Sequence, residues 1–178
     1  MPSNWPSPSS PEPEEISRLQ AGDPTALTSL YLRVGKSLAT LARRLTGSRE
    51  DAEDVLHDVF LGLPEAMRHY EERGKLEAWL RLVTVRTALA RMRAQRRRRG
   101  RMFDPHALPA KSPAPTIDSI ALADALDELP APLREVVVLK MIEGYSHSEI
   151  ADLLGISSHA SEQRLHRAVQ FLRRRLDP

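Results

Sequence analysis

Residues 144–168 read GYSHSEIADLLGISSHASEQRLHRA, and this stretch predicts two short helices joined by a tight turn. Ser146 or Ser148 can cap the first helix, and Gly155 follows its last apolar residue, where a left-handed residue ends a helix at little cost. Ser157 can then cap the second helix. A helix, a glycine turn and a capped helix within about two dozen residues are typical of a DNA-binding helix-turn-helix.

The second of these helices combines an apolar stripe, which must face a core, with a polar face opposite to it. The stripe consists of Leu165, Ala168, Val169, Leu172 and Leu176. The polar face and its edges carry His159, Glu162, Gln163, Arg164, His166 and Arg167. Side chains of these types can read base edges or hold phosphates, so we expect this face to contact DNA. A solvated face of an ordinary amphipathic helix is the alternative.

Charge is segregated along the chain, although the formal net charge of its 178 residues is only +2. Residues 50–77 are mostly acidic, whereas residues 78–103 contain no acidic residue and many arginines. A further basic cluster, residues 173–175, follows the predicted helix-turn-helix. Basic blocks attract polyanions, and together with the helix-turn-helix they favour nucleic acid over a merely solvated surface.

Composition excludes several other classes of function. The chain has no cysteine, which excludes disulfides, thiol catalysis and cysteine-based zinc sites. The six histidines lack metal-binding helix spacing, and no phosphate loop or nucleophile elbow is present, so we expect neither enzyme activity nor a cofactor. No apolar run approaches the roughly 18–20 residues that cross a bilayer, and the N-terminus lacks a signal-peptide layout. We therefore expect a cytoplasmic protein without membrane insertion.

Helical periodicity predicts an all-α fold of two small helical domains joined by a flexible linker. Residues 1–12 are rich in proline and serine and are expected to be disordered. We expect the first domain over residues 13–99, the proline-bearing linker over residues 100–117 and the second domain over residues 118–178.

Turn and cap residues predict the helix boundaries of the first domain. Asp23 and Pro24 should begin a long helix that Gly47 ends, and Pro64 should interrupt the next helix. The helix from about residue 76 to residue 96 should pack through Leu76, Trp79, Leu80, Val83 and Thr87. In the second domain, residues 133–142 contain a valine run that is predicted as a buried helix rather than a strand, because of its length and its helical neighbours.

With both domains placed, three passages closely resemble bacterial sigma factors, in particular the small extracytoplasmic-function (ECF) group. REDAEDVLHDVFLGL, residues 49–63, is similar to the acidic helix of sigma region 2. LEAWLRLVTVRTALARMRAQRRRR, residues 76–99, is similar to the basic helix that closes that region. DELPAPLREVVVLKMIEGYSHSEIADLLGISSHASEQRLHRA, residues 127–168, is similar to region 4 from end to end.

The resemblance implies a protein that is not an enzyme, binds core RNA polymerase, recognises promoter DNA and helps to open the duplex. The family's acidic helix docks on polymerase, which here implies a surface made by Asp54, His57, Asp58 and Phe60. The family reads the downstream (−10) element as unpaired strand, which implies contacts from Tyr70, Arg86, Ala90, Arg91 and Arg93. The polar face of the second helix-turn-helix helix would lie in the major groove of the upstream (−35) element. Trp79 is either an aromatic platform for the strand or a core residue.

Four residues depart from the family pattern where bases are read. Relatives often carry Asn in place of Arg86 and Asp in place of Ala90. They also often carry a branched apolar residue in place of Ser161, and Lys or Arg in place of Glu162. We expect Ser161 to weaken packing slightly and Glu162 to be able to accept a hydrogen bond from cytosine. The promoter sequence therefore stays open.

Two other classes of function and one further partner are left open by the sequence. A conventional helix-turn-helix regulator would need a sensory pocket or dimer face in its first domain. A sigma-like antagonist would bind polymerase without promoter activity. An anti-sigma protein is a further candidate partner.

Overall fold

The computed structural model describes residues 13–70, 75–99 and 124–176, and the regular elements in these ranges are all helical, which confirms the all-α prediction. The predicted disordered N-terminus and linker lie outside the described residues. The elements are α1 (Pro13–Gln20), α2 (Pro24–Thr46), α3 (Arg49–Met67), α4 (Leu76–Arg99), α5 (Ala131–Val137) continued by a π-helical turn (Val138–Ile142), α6 (His147–Leu154) and α7 (Ser158–Leu176). Residues 124–128 are also helical. We call residues 13–99 the N-terminal unit and residues 124–176 the C-terminal unit.

The helix ends in the N-terminal unit lie where cap chemistry predicts them. The Asp23 carboxylate accepts a hydrogen bond from the Thr25 amide (2.8 Å), with Pro24 in the first turn of α2. Gly47 ends α2 in the left-handed conformation, with φ of 74°. Ser48 then caps α3 by accepting from the Asp51 amide at 3.2 Å.

The prediction that Pro64 interrupts α3 is wrong, because the helix continues through it to Met67. Proline removes one helical hydrogen bond and crowds the preceding turn. Leu63 and Met67, on either side of it, are fully buried, and their burial outweighs the lost bond.

The core face of α4 also differs from the predicted set, of which Leu76 and Leu80 are buried while Trp79, Val83 and Thr87 are only partly buried. The buried stripe continues instead through Thr84, Val85, Ala88, Leu89 and Met92. The hydroxyl of Thr84 donates to the Leu80 carbonyl (2.9 Å), so this polar residue is satisfied inside the core. The actual face packs mainly against α2 and α3, and Val85, Ala88 and Leu89 also belong to a cluster that reaches the C-terminal unit.

The two units share part of their hydrophobic core rather than standing apart. Leu41 and Leu45 of α2 and Val85 of α4 form a buried cluster with Leu139 and Ile150 of the C-terminal unit. A second cluster contains residues from all four helices of the N-terminal unit. A third cluster packs α7 against α5 and residues 126–129. The valine run is helical, as predicted, with Val136 and Val138 fully buried in the shared core.

Candidate nucleic-acid and protein-binding surfaces

The helix-turn-helix has the predicted layout. Ser146 caps α6 in a capping box, in which its hydroxyl accepts from the Glu149 amide while the Glu149 carboxylate accepts from the Ser146 amide (2.8 Å). The hydrogen bonds that this carboxylate accepts from the Ser146 amide and from the Ser146 hydroxyl hold the pKa of Glu149 below its usual value. Gly155 ends α6 with φ of 67°, and the Ser157 hydroxyl accepts from the Ala160 amide at 3.1 Å to cap α7. The turn is thereby fixed by local bonds at both of its ends.

The polar face of α7 is open to solvent. His159, Glu162, Gln163, His166 and Arg167 are exposed, and Arg164 is partly buried at the edge of the face. The contacts between these side chains are sparse, since His159 lies 3.9 Å from Glu162 and His166 bonds to Gln170 at 2.8 Å. These predicted base-reading side chains therefore lie together on one solvent-facing surface of α7.

Ser161 forms a hydrogen bond that was not predicted from the sequence. It is fully buried on the side of α7 that faces α6, and its hydroxyl lies 2.9 Å from Nδ1 of His147. The hydrogen bond joins the first helix of the helix-turn-helix to the second. A buried hydroxyl with a partner avoids most of the cost expected from its polarity. The departure from an apolar residue is thus accommodated by His147, which the sequence pattern did not single out.

The acidic helix α3 presents a charged stripe beside exposed apolar side chains. Asp54 and His57 are exposed and Asp58 is partly exposed. Phe60 is partly buried, with its ring edge-on to Tyr31 at 5.1 Å between centroids. Leu61 follows it and is 72% exposed, although it is a large apolar residue.

Arg91 lies on the side of α4 that faces this stripe. Its guanidinium bonds to Asp58 and Asp54, each at 2.5 Å. The hydrogen bond that Arg91 donates to Asp58, followed by the charges of the aspartates, raises the pKa of Arg91. Arg91 is therefore placed with the predicted polymerase-docking residues rather than with the other predicted strand-binding residues.

The remaining predicted strand-binding residues lie around the opposite side of α4. Arg86, Ala90 and Arg93 are exposed, and Arg93 donates to the Leu153 carbonyl of α6 at 3.1 Å. Tyr70 is buried against Trp79, with 5.0 Å between ring centroids. Most of the loop between them, residues 71–74, lies outside the described residues. Trp79 is partly buried against the core of the N-terminal unit, which leaves both of its predicted roles open.

A cavity of about 850 Å³ separates this side of α4 from the helix-turn-helix. Its apolar walls include Val34, Leu38, Trp79, Ile142 and Leu153. Its polar lining combines arginines from α4 with carboxylates from the C-terminal unit, namely Arg81, Arg86, Glu143, Glu149 and Asp152. Burial, and then the nearby carboxylates, raise the pKa of the Tyr145 phenol on the cavity wall.

The search for other kinds of site gives a negative result over the described ranges. Residues 13–70, 75–99 and 124–176 contain no cluster of three or more side chains suited to hold a metal ion. Among the helices in the described part of the chain, none is long and apolar enough to span a membrane.

Two family profiles match the chain in the order of its two units. The profile described as Sigma-70 region 2 matches residues 30–98, and that described as Sigma-70, region 4 matches residues 119–172. Both correspond to the passages that carry the resemblance noted in the sequence.

Several characterised proteins align with most of the chain. The ECF RNA polymerase sigma factor SigE of Mycolicibacterium smegmatis is 35% identical, over 96% of this chain and 70% of SigE. The RNA polymerase sigma factor CarQ of Myxococcus xanthus is 30% identical, over 89% of this chain and 93% of CarQ.

Two solved structures are similar in fold to most of the chain. CnrH in complex with the cytosolic domain of CnrY has a TM-score of 0.53 and 29% identity, covering 92% of this chain and 96% of CnrH. The sigma factor RpoE in complex with the anti-sigma factor NepR, from Bartonella quintana, has a TM-score of 0.64 at 24% identity, covering 84% of this chain and 95% of RpoE.

Proposed function

The chain belongs to the sigma-70 family of RNA polymerase sigma factors, in its ECF group. It therefore binds core RNA polymerase and directs promoter-specific transcription initiation. We propose that its two units carry out different parts of this work. The N-terminal unit acts as region 2 and the C-terminal unit as region 4, with a linker over residues 100–117. Sigma factors are regulatory initiation factors rather than catalysts in the usual sense. The chain has no enzyme activity of its own and acts in the cytoplasm, together with the polymerase.

The C-terminal unit reads the upstream element by laying α7 in the major groove. The observation that carries this proposal is the solvent-facing polar surface of α7 within a capped helix-turn-helix. Exposed Glu162, Gln163 and Arg167 can approach base edges, while the arginines at residues 173–175 suit phosphates. Because few bonds engage these side chains within the chain, they can turn to the bases at little cost.

The N-terminal unit takes up the downstream element as unpaired strand. Support comes from the arginines on one side of α4, which can follow a phosphate backbone, and from the aromatic pair Tyr70 and Trp79 beside them. Arg86 and Ala90 are exposed between these groups, where a strand would pass.

The α3 stripe docks on polymerase. Exposed carboxylates at Asp54 and Asp58 steer a basic partner, and Leu61 beside Phe60 offers apolar contact area at the centre of such a surface. Reversing both charges, Asp54→Lys with Asp58→Lys, should weaken binding to core polymerase at least tenfold in a pull-down or fluorescence titration, while helix content is retained. A matched control, Glu14→Lys with Asp124→Lys, makes the same charge change at exposed positions outside α3. Equal affinities of the two double variants would refute the docking assignment.

A protein partner of the anti-sigma class is a further part of the proposal. It is supported by the likeness to CnrH, whose solved structure contains the cytosolic domain of CnrY. The cavity between α4 and the helix-turn-helix has the mixed apolar and charged lining that an amphipathic helix would need. Expression of the chain in its own host, with crosslinking before purification, should recover such a partner. Absence of any stoichiometric partner apart from polymerase would refute it.

A further inference from the structure

Glu162 is the single acidic residue of α7, which otherwise carries five arginines and two histidines. Its side chain is 57% exposed, on the polar face that the proposed function places in the major groove. A carboxylate on such a surface is repelled by the phosphates of both strands, and this repulsion lowers the affinity for DNA of any sequence. Glu162 therefore suits a DNA-binding face only if a favourable bond to a base offsets the repulsion.

No arginine or lysine pairs with Glu162 in the ranges that the structure describes. An exposed carboxylate elsewhere on the surface, that of Glu53, pairs with Arg49 one helical turn away at 2.8 Å. The residues three and four positions from Glu162 are instead Ser158, His159, Leu165 and His166. The imidazole of His159 lies 3.9 Å away and is charged only when protonated. The carboxylate of Glu162 thus keeps its charge and its capacity to accept hydrogen bonds.

The turn that carries Glu162 is fixed from below. Ser161, the residue before it, is fully buried, with its hydroxyl 2.9 Å from Nδ1 of His147 in α6. The Ala160 amide donates to the Ser157 hydroxyl at 3.1 Å, which fixes the start of the helix. Glu162 lies in the second turn, and the first turns of a recognition helix are the ones that approach base edges. Its carboxylate therefore projects from a defined position toward the floor of the groove.

The chemistry of the base edges decides which base can offset the repulsion. An ionised carboxylate only accepts hydrogen bonds. In the major groove cytosine presents a donor, its N4 amino group, whereas guanine presents two acceptors and thymine presents an acceptor and a methyl group. Adenine presents a donor beside an acceptor, a pattern that suits an amide better than a carboxylate. Cytosine is thus the base that best satisfies a carboxylate at this position.

We propose that Glu162 is a specificity-determining residue, which makes the chain require cytosine at one position of the upstream element and weakens its binding to every other sequence. The inference rests on the proposed function, because it applies only if α7 lies in the groove. Arg167 and the arginines at residues 173–175 supply attraction to DNA. Glu162 supplies discrimination, since its charge favours binding only where the cytosine amino group accepts it as a partner.

Replacement of Glu162 alone should change the base preference at that one position. Glu162→Gln presents an amide, which favours adenine, and Glu162→Lys presents a cation, which favours guanine. Asp124→Asn is a matched control for the amide variant, because it removes one negative charge at an exposed position outside the helix-turn-helix. Holoenzyme reconstituted with each chain would select duplexes from a pool with a randomised upstream element. We expect cytosine for wild type and Asp124→Asn, adenine for Glu162→Gln and guanine for Glu162→Lys, with the other positions unchanged.

Affinities measured at constant salt separate base reading from a role in folding. The wild-type holoenzyme should bind its selected duplex roughly five- to hundredfold more tightly than the same duplex with thymine in place of the cytosine. Glu162→Gln should bind the cytosine duplex more weakly than wild type does, yet bind the thymine duplex more tightly, because one repulsive charge is gone. A purely structural defect would weaken binding to both duplexes.

The proposal would be overturned if wild type and Glu162→Gln selected the same base at every position, or if the wild type selected no cytosine where they differ. Equal weakening of Glu162→Gln on both duplexes would also overturn it. Circular dichroism checks that each variant is folded, and Glu162→Lys carries the same test if Glu162→Gln is not. Failure of the wild-type holoenzyme to select any sequence would instead refute the proposed function.

Discussion

Two glycines with the same backbone strain differ in what surrounds them. This difference predicts how much the contact between Gly47 and Arg134 contributes to stability. Gly47 and Gly155 both end helices, with φ of 74° and 67°. Replacement by alanine costs roughly 1–2 kcal/mol at each site for the left-handed conformation alone. At Gly155 a Cβ meets nothing within 4 Å, so the strain is the whole cost. At Gly47 the Cβ would displace the Arg134 guanidinium and break its two hydrogen bonds to carbonyls.

Hydrogen bonds from a charged group contribute about 1.5–3 kcal/mol each, and a displaced guanidinium regains part of this from water. We therefore expect Gly47→Ala to lower the free energy of unfolding by roughly 1–3 kcal/mol more than Gly155→Ala does. Urea unfolding followed by circular dichroism measures both values under the same conditions. In an Arg134→Met background the excess should vanish, since there is no guanidinium left to displace. Equal losses for the two glycine variants in the wild-type background would refute the reasoning.

Three further predictions concern the helix-turn-helix. The pair Ser161→Ala and His147→Ala should show a coupling free energy of about 0.5–1.5 kcal/mol in a double-mutant cycle of unfolding, and additive losses would exclude a hydrogen bond between them. Arg167→Ala should weaken binding of the holoenzyme to DNA with the upstream element about tenfold, measured by filter binding, whereas unchanged affinity would mean that α7 lies differently in the groove. Because the folded-state pKa of Glu149 is lowered, the stabilisation that its carboxylate provides is present above the unfolded pKa and is lost as the pH falls through the folded pKa. The wild-type protein should therefore lose more stability in acid than Glu149→Gln does, as measured by thermal unfolding. Parallel curves of stability against pH for the two proteins would contradict this.

Local chemistry allowed the helix ends to be predicted from the sequence. Asp23, Gly47, Ser146 and Gly155 each act within a few residues, through a cap bond or a left-handed φ, so their signals are complete in a short window. Pro64 misled because its local effect is opposed by the burial of Leu63 and Met67, which depends on packing against other helices.

The surfaces were predicted less completely, because they depend on contacts between distant residues. The exposed face of α7 follows from its own periodicity, and its predicted residues lie on one surface. The contacts between the two units could not be predicted from the sequence. Arg134 and Glu135 interrupt an apolar run, but nothing local indicates that their partners are Thr46 and Arg96 in the other unit. The His147–Ser161 bond was missed for the same reason, since only the fold brings the two helices together.

Promoter-specific initiation by the reconstituted holoenzyme tests the central claim most directly. Core polymerase with the purified chain should select promoter DNA from a pool of genomic fragments and give run-off transcripts of defined length from the selected templates. Core polymerase alone, or with the Asp54→Lys and Asp58→Lys double variant, should give none above background. A chain that binds core polymerase but yields no promoter-specific transcript from any selected template would contradict the account.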